Sequence, residues 1–250
     1  MRRITINDIQ HMKNQGEKIA IITAYDHPMA RLADKAEFPV ILVGDSLGMV
    51  LLGYDSTIPV TMEDMIHHTK AVARATNHAL VVADMPFMSY QIDSNQTLKN
   101  ASRLIQEGGA QTVKLEGGEV IAEEVNRIVN CGIPVMGHIG LTPQSVNIFS
   151  GYKIQGNADK EARQLIKDSK AIQDAGAYAI VLELIPAPLA QIITESLSIP
   201  TIGIGAGPHC DGQIQVINDI LGLFDNFVPK HTKQYLHLND LIAEAFKNHI

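Results

Sequence analysis

The chain has few cysteines, no basic cluster and no long apolar run. Cys131 and Cys210 stand far apart and form no CxxC pair, which argues against a disulfide framework and a zinc site and favours a reducing cytoplasm. The formal net charge is −7, and only Arg2 and Arg3 adjoin, so neither nucleic acid nor an anionic membrane is expected as a partner. No run reaches the length of a membrane span, and the amino terminus turns polar before an apolar signal-peptide core forms, so we expect a cytoplasmic protein.

The chain also lacks internal repeats, low-complexity tracts and Pro/Ser-rich linkers, so we predict a single domain over residues 1–250. Eight apolar runs rich in Val and Ile alternate with helical stretches. The runs cover residues 19–25, 40–44, 80–83, 112–115, 134–137, 178–182, 200–204 and 213–217. The helical stretches cover residues 61–75, 94–107, 121–129, 158–174 and 188–196, with a further helix-like segment at 238–246.

This alternation predicts a parallel sheet covered by helices. The GxGxxG signature of a doubly wound dinucleotide fold is missing after the first strand, and 250 residues suit a barrel, so we predict an α/β fold, a (β/α)8 TIM barrel. Local signals agree with the helices. Thr61 and Asp64 are spaced as a capping box, and Gly108, Gly132 and Gly176 follow helix ends where a left-handed residue is expected.

Four of the apolar runs break off at an acidic residue: Asp45, Asp84, Glu116 and Glu183. A lone acid at such a place often caps the following helix. Glutamate caps poorly, however, so capping does not account for all four. Because active sites of parallel barrels lie at the carboxyl ends of the strands, the four acids predict a metal and acid–base site there.

Side chains two residues apart on a strand share a face, so Lys114 points with Glu116, and Val43 with Asp45. The same rule directs Asp84, His138 and Glu183 to one mouth. Oxygen ligands from Asp45, Asp84 and Glu116 suit Mg²⁺. Glu183 has the apolar neighbours Leu182, Leu184 and Ile185, a setting that favours a general base. Lys114 is interpreted as a clamp for an anionic substrate or as an ion-pair partner, and His138 as a substrate contact or a structural histidine.

Other segments leave two interpretations open. The run from Gly203 to Gly207 suits an anion site on backbone N–H groups or a tight turn with close packing. His67 and His68 lack HExxH spacing and are interpreted as helix surface. Long loops over residues 47–60, 86–93 and 141–157 follow strand ends and are predicted to act as lids or binding loops.

Seven sequence blocks resemble the ketopantoate hydroxymethyltransferase family nearly end to end. They are Thr23-Ala24-Tyr25-Asp26, Val43-Gly44-Asp45-Ser46-Leu47-Gly48, Ala83-Asp84-Met85-Pro86-Phe87, Val113-Lys114-Leu115-Glu116-Gly117-Gly118, Gly137-His138-Ile139-Gly140-Leu141-Thr142-Pro143-Gln144, Leu182-Glu183 and Gly203-Ile204-Gly205-Ala206-Gly207.

The resemblance implies a barrel of the phosphoenolpyruvate/pyruvate type that transfers a hydroxymethyl group from 5,10-methylenetetrahydrofolate to 3-methyl-2-oxobutanoate, a step of pantothenate biosynthesis. It implies one Mg²⁺ per subunit and a homodecamer. Carried over by position, the metal ligands are Asp45, Asp84 and Glu116, the oxo-acid contacts are Asp45, Ser46, Asp84 and Lys114, and the proton acceptor is Glu183.

Two rival functions are a lyase or mutase of the same superfamily acting on another 2-oxo acid, and a non-catalytic protein that binds an oxo acid or folate. Such lyases and mutases usually carry a reactive loop cysteine, and neither Cys131 nor Cys210 is placed for that role. A binding protein would be expected to have lost the base, yet Glu183 is present.

Overall fold

The computed structural model describes residues 2–149, 151–224 and 228–250. Within these residues, eight parallel strands close into a barrel in sequence order, with the last strand paired to the first. The strands are β1 Ile19–Thr23, β2 Val40–Val43, β3 Leu80–Asp84, β4 Thr112–Glu116, β5 Val135–Gly140, β6 Ala179–Glu183, β7 Thr201–Ile204 and β8 Gly212–Gln215. The predicted (β/α)8 barrel is confirmed. That residues 1–250 form one domain stays a prediction.

Helices and two short 3-10 turns connect the strands. The helices are α1 Ile6–Gln15, α2 His27–Lys35, α3 Leu47–Val50, α4 Met62–Ala75, α5 Ser94–Gln106, α6 Ala122–Asn130, α7 Val146–Phe149, α8 Asp159–Asp174, α9 Ala187–Ser196, α10 Ile217–Leu221 and α11 Leu238–His249. The 3-10 turns span Glu119–Ile121 and Pro143–Ser145. None of the helices in the described part of the chain combines the length and the apolar character needed to cross a bilayer.

Sequence reasoning missed α1 and α2, although each begins with a recognisable cap. Thr5 and Asp8 form a capping box at the start of α1. The Asp26 side chain accepts a hydrogen bond from the Met29 N–H at the start of α2, whose second residue is Pro28. Both helices are short, and the caps were the clearest signal for them.

Alternate strand residues pack into two apolar layers. One layer fills the barrel interior and includes Leu42, Val82 and Val181. The other faces the helices and includes Val81 and Leu115. Full burial of an aliphatic side chain contributes about 1.5–3 kcal/mol, so these layers supply most of the driving force for closure. The period of two is the same one that directs polar side chains to the mouth.

Helix α1 packs against the amino-terminal end of the barrel. Its fully buried Ile9 belongs to the interior layer, and the Ile4 N–H donates to the His78 carbonyl just before β3. Lys13 pairs with Asp211, just before β8, at 2.8 Å. Because this end is covered, the carboxyl end remains for chemistry.

The predicted glycine caps are confirmed at two of three positions. Gly132 and Gly176 have φ angles of 86° and 99°, whereas after α5 it is Gly109, with φ 80°, that is left-handed. Gly108 was predicted to be a left-handed residue, and this prediction was wrong. A Cβ at Gly108 would lie 2.4 Å from the Leu104 carbonyl oxygen, so glycine is required there by close packing.

Candidate active site

The predicted polar residues meet at the carboxyl mouth of the barrel. Asp84, Glu116 and Glu183 are the last residues of β3, β4 and β6, and His138 lies within β5. Asp84 and Glu116 are almost fully buried, and the Glu183 side chain keeps 16% of its exposure. The strand-end acids are therefore gathered as predicted, and Glu183 is the one that an incoming molecule reaches most easily.

Asp45 reaches this mouth by a different route from the predicted one. Strand alternation predicted that Val43 and Asp45 point the same way, but Val43 packs in the outer layer. This prediction was wrong because β2 ends at Val43 and the chain turns at Gly44. The turn places the Asp45 N–H 3.0 Å from Asp84 Oδ2, to which it donates a hydrogen bond.

Lys114 lies among the buried acids. Its Nζ is 3.2 Å from Asp84 Oδ1, 3.8 Å from Glu116 Oε1 and 3.2 Å from His138 Nδ1. Burial disfavours the charge, but the carboxylates of Asp84, Glu116 and Asp45 outweigh it and hold the pKa of Lys114 above its ordinary value. The ammonium group is therefore charged and forms the ion pairs that one of the two interpretations required.

The carboxylates divide into two kinds. Burial, followed by repulsion from Asp84 and Glu116, raises the pKa of Asp45 well above its ordinary value. Burial also raises the pKa of Asp84, although Lys114 opposes this. At Glu116 burial acts in the same direction, but the hydrogen bond and charge of His138, together with Lys114, lower its pKa below the ordinary value. The surroundings of Asp45 and Asp84 thus disfavour the charged carboxylate, whereas those of Glu116 favour it.

His138 bridges two glutamates. Its Nδ1 lies 3.4 Å from Glu116 Oε1, and its Nε2 lies 3.2 Å from Glu183 Oε2. Burial and the charge of Lys114 oppose protonation, but the contacts with Glu116 and Glu183 prevail and raise the pKa of His138 to about 9. His138 thus contacts the predicted base, although its Nε2 makes no directed hydrogen bond within the described residues, and both interpretations of His138 stay predictions.

Three polar residues that sequence reasoning missed complete the site. The Tyr25 hydroxyl lies 2.9 Å from Ser46 Oγ, at the start of α3. Gln144 donates from Nε2 to Asp45 Oδ2 at 2.8 Å, and the Tyr90 hydroxyl donates to Gln144 Oε1 at 2.8 Å. Only their positions in the sequence could have pointed to these residues. Tyr25 and Gln144 lie in sequence blocks that resemble the family, and Tyr90 lies in the predicted loop over residues 86–93.

The donor set of this site is made of oxygen atoms, which suits a hard divalent cation. Asp84 Oδ1 is buried and, despite its proximity to Lys114, makes no directed hydrogen bond. Both Glu116 oxygens already have partners, His138 and the Gln144 N–H. Among the described residues, no three His, Cys, Asp or Glu side chains converge as they stand on one metal position. The carboxylates of Asp45 and Asp84 fit a metal ion directly. Glu116 fits it once His138 or the Gln144 N–H no longer occupies one of the Glu116 oxygens.

The remaining predictions concern the edge of the site. His67 is exposed, but His68 is half-buried, and its Nδ1 lies 2.7 Å from the Tyr25 carbonyl oxygen, so helix surface describes only His67. In the glycine run, Gly205 and Gly207 have φ angles of 63° and 79°. A Cβ at Gly205 would lie 2.6 Å from the Leu184 side chain, which favours the interpretation as a tightly packed turn.

The three predicted loops surround the mouth and expose apolar side chains. Ser150, in the third loop, lies outside the described residues. Burial raises the pKa of Tyr152, and the charges of Glu183, Asp45 and Glu116 act in the same direction, while its hydroxyl donates to Met49 Sδ at 3.3 Å. The Gln155 N–H donates to the Leu184 carbonyl beside Glu183 at 2.8 Å. The exposed apolar residues of the loops are Leu51, Tyr54, Phe87, Met88, Ile92, Ile148, Tyr152 and Ile154.

Solved structures similar in fold include a hydrolase and a mutase. A phosphonopyruvate hydrolase in complex with oxalate and Mg²⁺ matches with a TM-score of 0.66 and 13% identity, over 98% of this chain and 85% of that one. Phosphoenolpyruvate phosphomutase from Streptomyces platensis subsp. rosaceus matches with a TM-score of 0.66 and 14% identity, over 97% and 86% of the two chains. At this identity the likeness shows the fold alone, an α/β barrel.

Sequence relatives are much closer. A 3-methyl-2-oxobutanoate hydroxymethyltransferase from Dehalococcoides mccartyi (strain ATCC BAA-2100) is 63% identical over 243 residues, which cover 97% of this chain and 87% of the relative. The enzyme of that name from Carboxydothermus hydrogenoformans is 58% identical over 250 residues, covering 100% and 91%. The family model described as ketopantoate hydroxymethyltransferase matches residues 3–250. The chain therefore belongs to the ketopantoate hydroxymethyltransferase family.

Proposed function

We propose that the protein transfers a hydroxymethyl group from 5,10-methylenetetrahydrofolate to 3-methyl-2-oxobutanoate, in pantothenate biosynthesis. The observation that carries the proposal is the arrangement of Glu183. This carboxylate is the accessible acid of the mouth, and His138 joins it to the buried cluster of Lys114 and Glu116. Family membership and the names of the relatives at 63% and 58% identity support the same reaction.

Glu183 acts as the base that removes the C3 proton of the oxo acid. The proton passes to Glu183 Oε2 or Oε1, and the electron pair of the C3–H bond becomes available at C3. Protonated His138, 3.2 Å from Oε2, holds the carboxylate toward the substrate. Lys114 adds a fixed positive charge close to where the anionic oxo acid would bind, and the Ser46 hydroxyl is held by Tyr25 for a substrate hydrogen bond.

Asp45 and Asp84 would hold Mg²⁺, one ion per subunit, with Glu116 as the third predicted ligand. A bound Mg²⁺ supplies positive charge beside the 2-oxo and carboxylate oxygens and so makes the C3 proton more acidic. The buried excess of carboxylates over cations supports this assignment, because burial and mutual repulsion already raise the pKa of Asp45 and a divalent cation would relieve that repulsion.

The folate donor would approach through the three loops. Its flat rings need apolar contacts, and the exposed side chains of Tyr54, Phe87 and Tyr152 offer them at the mouth. The carbon at C3 then bonds to the one-carbon unit, water supplies the hydroxyl oxygen, and tetrahydrofolate leaves.

We also propose that the protein forms a homodecamer. The exposed apolar residues Leu241 and Phe246 of α11 support self-association, and light scattering would measure the size of the assembly.

Proton NMR of 3-methyl-2-oxobutanoate in D₂O tests the reaction. With the protein and Mg²⁺ alone, we expect loss of the C3 proton signal by exchange. With methylenetetrahydrofolate added, we expect a new hydroxymethyl resonance. The absence of both from a folded, metal-loaded protein points to a lyase or mutase of the same barrel superfamily using another 2-oxo acid, or to a binding protein. Cys131 is exposed and lies at the end of α6, outside the barrel mouth. It therefore does not serve as the reactive loop cysteine that the lyase alternative would require.

A further inference from the structure

We propose that Gln144 is a positioning residue that orients the carboxylates of Asp45 and Glu116, and that Tyr90 in turn fixes the Gln144 amide. The proposal rests on the proposed function and adds to it the part of the protein that shapes the acid cluster. Gln144 lies in the 3-10 turn Pro143–Ser145, on the loop after β5, and is 4% exposed.

Gln144 donates to two different acids. Its backbone N–H donates to Glu116 Oε2 at 3.0 Å, and its side-chain Nε2 donates to Asp45 Oδ2 at 2.8 Å. These acids come from the ends of different strands, and one residue therefore ties them together. Each bond fixes one oxygen of its carboxylate, and the other Glu116 oxygen contacts His138, so Gln144 restricts how the two carboxylates can turn.

The orientation of the Gln144 amide is determined by its partners. Nε2 also donates to the Met85 carbonyl at 2.9 Å, so both amide hydrogens are used on acceptors. Rotation of the amide by 180° would place Oε1 against the Asp45 carboxylate and the Met85 carbonyl, which offer no proton. The observed orientation leaves Oε1 for the Tyr90 hydroxyl at 2.8 Å.

Tyr90 is itself held in place. Its hydroxyl accepts the Glu116 N–H at 3.1 Å, and its single proton is shared between the Glu116 carbonyl oxygen at 3.0 Å and Gln144 Oε1, the nearer acceptor at 2.8 Å. Burial, and then the nearby charge of Glu116, raise the pKa of Tyr90 well above its ordinary value, which keeps this proton in place. Thr97 Oγ1 donates to the Tyr90 carbonyl at 3.0 Å and anchors the residue to α5.

An uncharged amide is suited to this position. Asp45, Asp84 and Glu116 already repel one another, and Lys114 and His138 already supply the positive charge of the pocket. A further cation would compete with a metal ion, and a further carboxylate would add repulsion. Gln144 donates hydrogen bonds without changing the charge, so the acids are aligned while their affinity for a cation is retained.

The test compares two glutamine-to-methionine variants of the same loop. Gln144→Met keeps the length of the side chain but removes its polar atoms, whereas Gln155→Met removes a side-chain amide that, among the described residues, donates to the Lys153 carbonyl alone. Mn²⁺ affinity is measured by electron paramagnetic resonance without substrate, and C3 proton exchange is measured separately. Both are recorded well below the thermal midpoint of each variant.

We expect Gln144→Met to weaken Mn²⁺ binding about 10- to 100-fold and to slow exchange by a similar factor, with the oxo-acid KM rising less than kcat falls. Tyr90→Phe should change both readouts in the same direction by roughly tenfold. Gln155→Met should leave both unchanged. A merely structural Gln144 would lower the thermal midpoint and leave the Mn²⁺ affinity as in the wild type.

Unchanged Mn²⁺ affinity in folded Gln144→Met and Tyr90→Phe overturns the proposal, as does a wild-type protein that binds no Mn²⁺. If Gln144→Met does not fold, Tyr90→Phe decides, because it keeps all Gln144 donors and removes one hydroxyl. Wild-type protein that binds Mn²⁺ but neither exchanges the C3 proton nor forms product refutes the proposed function, and the Mn²⁺ titration then decides on Gln144 alone.

Discussion

At the amino-terminal end of the barrel, Asp34 accepts hydrogen bonds from the backbone N–H groups of Asn77, His78 and Ala79, whereas at the carboxyl end Asp45 and Asp84 face other carboxylates. Partial burial opposes ionisation of Asp34, but the three donors prevail and lower its pKa. At the mouth, burial and repulsion raise the pKa of the acids. Acids of one type thus stabilise the fold at one end and hold unbalanced charge at the other.

The acids at the mouth are therefore arranged to bind a ligand, and this arrangement lowers the stability of the folded protein. A charge that already has partners within the fold needs no ligand to balance it. Asp211, which pairs with Lys13 and accepts a hydrogen bond from the Thr201 N–H, is an example. Repulsion between carboxylates in a buried pocket is relieved by a cation, which therefore binds the folded state and stabilises it. Substitutions at the two ends should separate stability from activity.

The largest effect is expected from Glu183→Gln, set against Asp211→Asn. The first removes the proton acceptor while keeping the shape, so C3 exchange should fall about 10²–10⁴-fold with little change in the free energy of unfolding. The second removes a charge that pairs with Lys13, so the free energy of unfolding should fall by about 1–2 kcal/mol while exchange continues. NMR exchange and chemical denaturation measure the two. Normal exchange in Glu183→Gln would rule out the base.

How much of this site was predictable follows from strand geometry. Asp84, Glu116 and Glu183 end strands, so the period of two was enough to direct them to the mouth. Asp45 lies beyond the end of its strand, where a turn replaces that period, and the prediction for Val43 failed there. Gln144 meets Asp45 across 99 residues of sequence, and no local pattern encodes such a contact.

The next effect contrasts Lys114→Met with Lys13→Met. Lys114 is 4% exposed and surrounded by acids, so its removal leaves uncompensated buried charge and should lower the free energy of unfolding by about 3–5 kcal/mol in metal-free protein. Lys13 is partly exposed, and its removal should reduce the free energy by about 1 kcal/mol. Urea denaturation with and without Mg²⁺ measures both. Equal losses would contradict the contrast between the two ends.

The pH dependence of stability should have opposite sign at the two ends. His138 has a folded pKa of about 9, above an unfolded value of about 6.5, so its contribution is complete below pH about 6.5 and is lost as the pH rises through about 9. The amount is about 3 kcal/mol, because each pKa unit between the two values corresponds to about 1.4 kcal/mol. Asp34 has a lowered pKa, so its contribution is present above pH about 4 and is lost as the pH falls through the folded value.

Denaturation of metal-free protein between pH 3 and 10 checks this, with His138→Gln and Asp34→Asn as the paired variants. His138→Gln should flatten the alkaline loss and leave the acid limb unchanged. Asp34→Asn should reduce the acid limb by about 1 kcal/mol, because its side chain is partly exposed. An alkaline loss that survives in His138→Gln would assign that titration to another group.

The smallest effect concerns two residues with positive φ, Leu184 at the mouth and Glu37 at the other end, at 44° and 62°. Non-glycine residues in this region are strained, so Glu37→Gly should raise the free energy of unfolding by about 0.5 kcal/mol. Leu184 follows Glu183 directly, and its side chain packs over Gly205. Leu184→Gly relieves the same strain but frees the backbone that aims the base, so we expect stability within about 0.5 kcal/mol of wild type and C3 exchange several-fold slower. Unchanged exchange in Leu184→Gly would mean that strand β6 alone fixes the direction of Glu183, and that strain at the mouth has no more function than strain at Glu37.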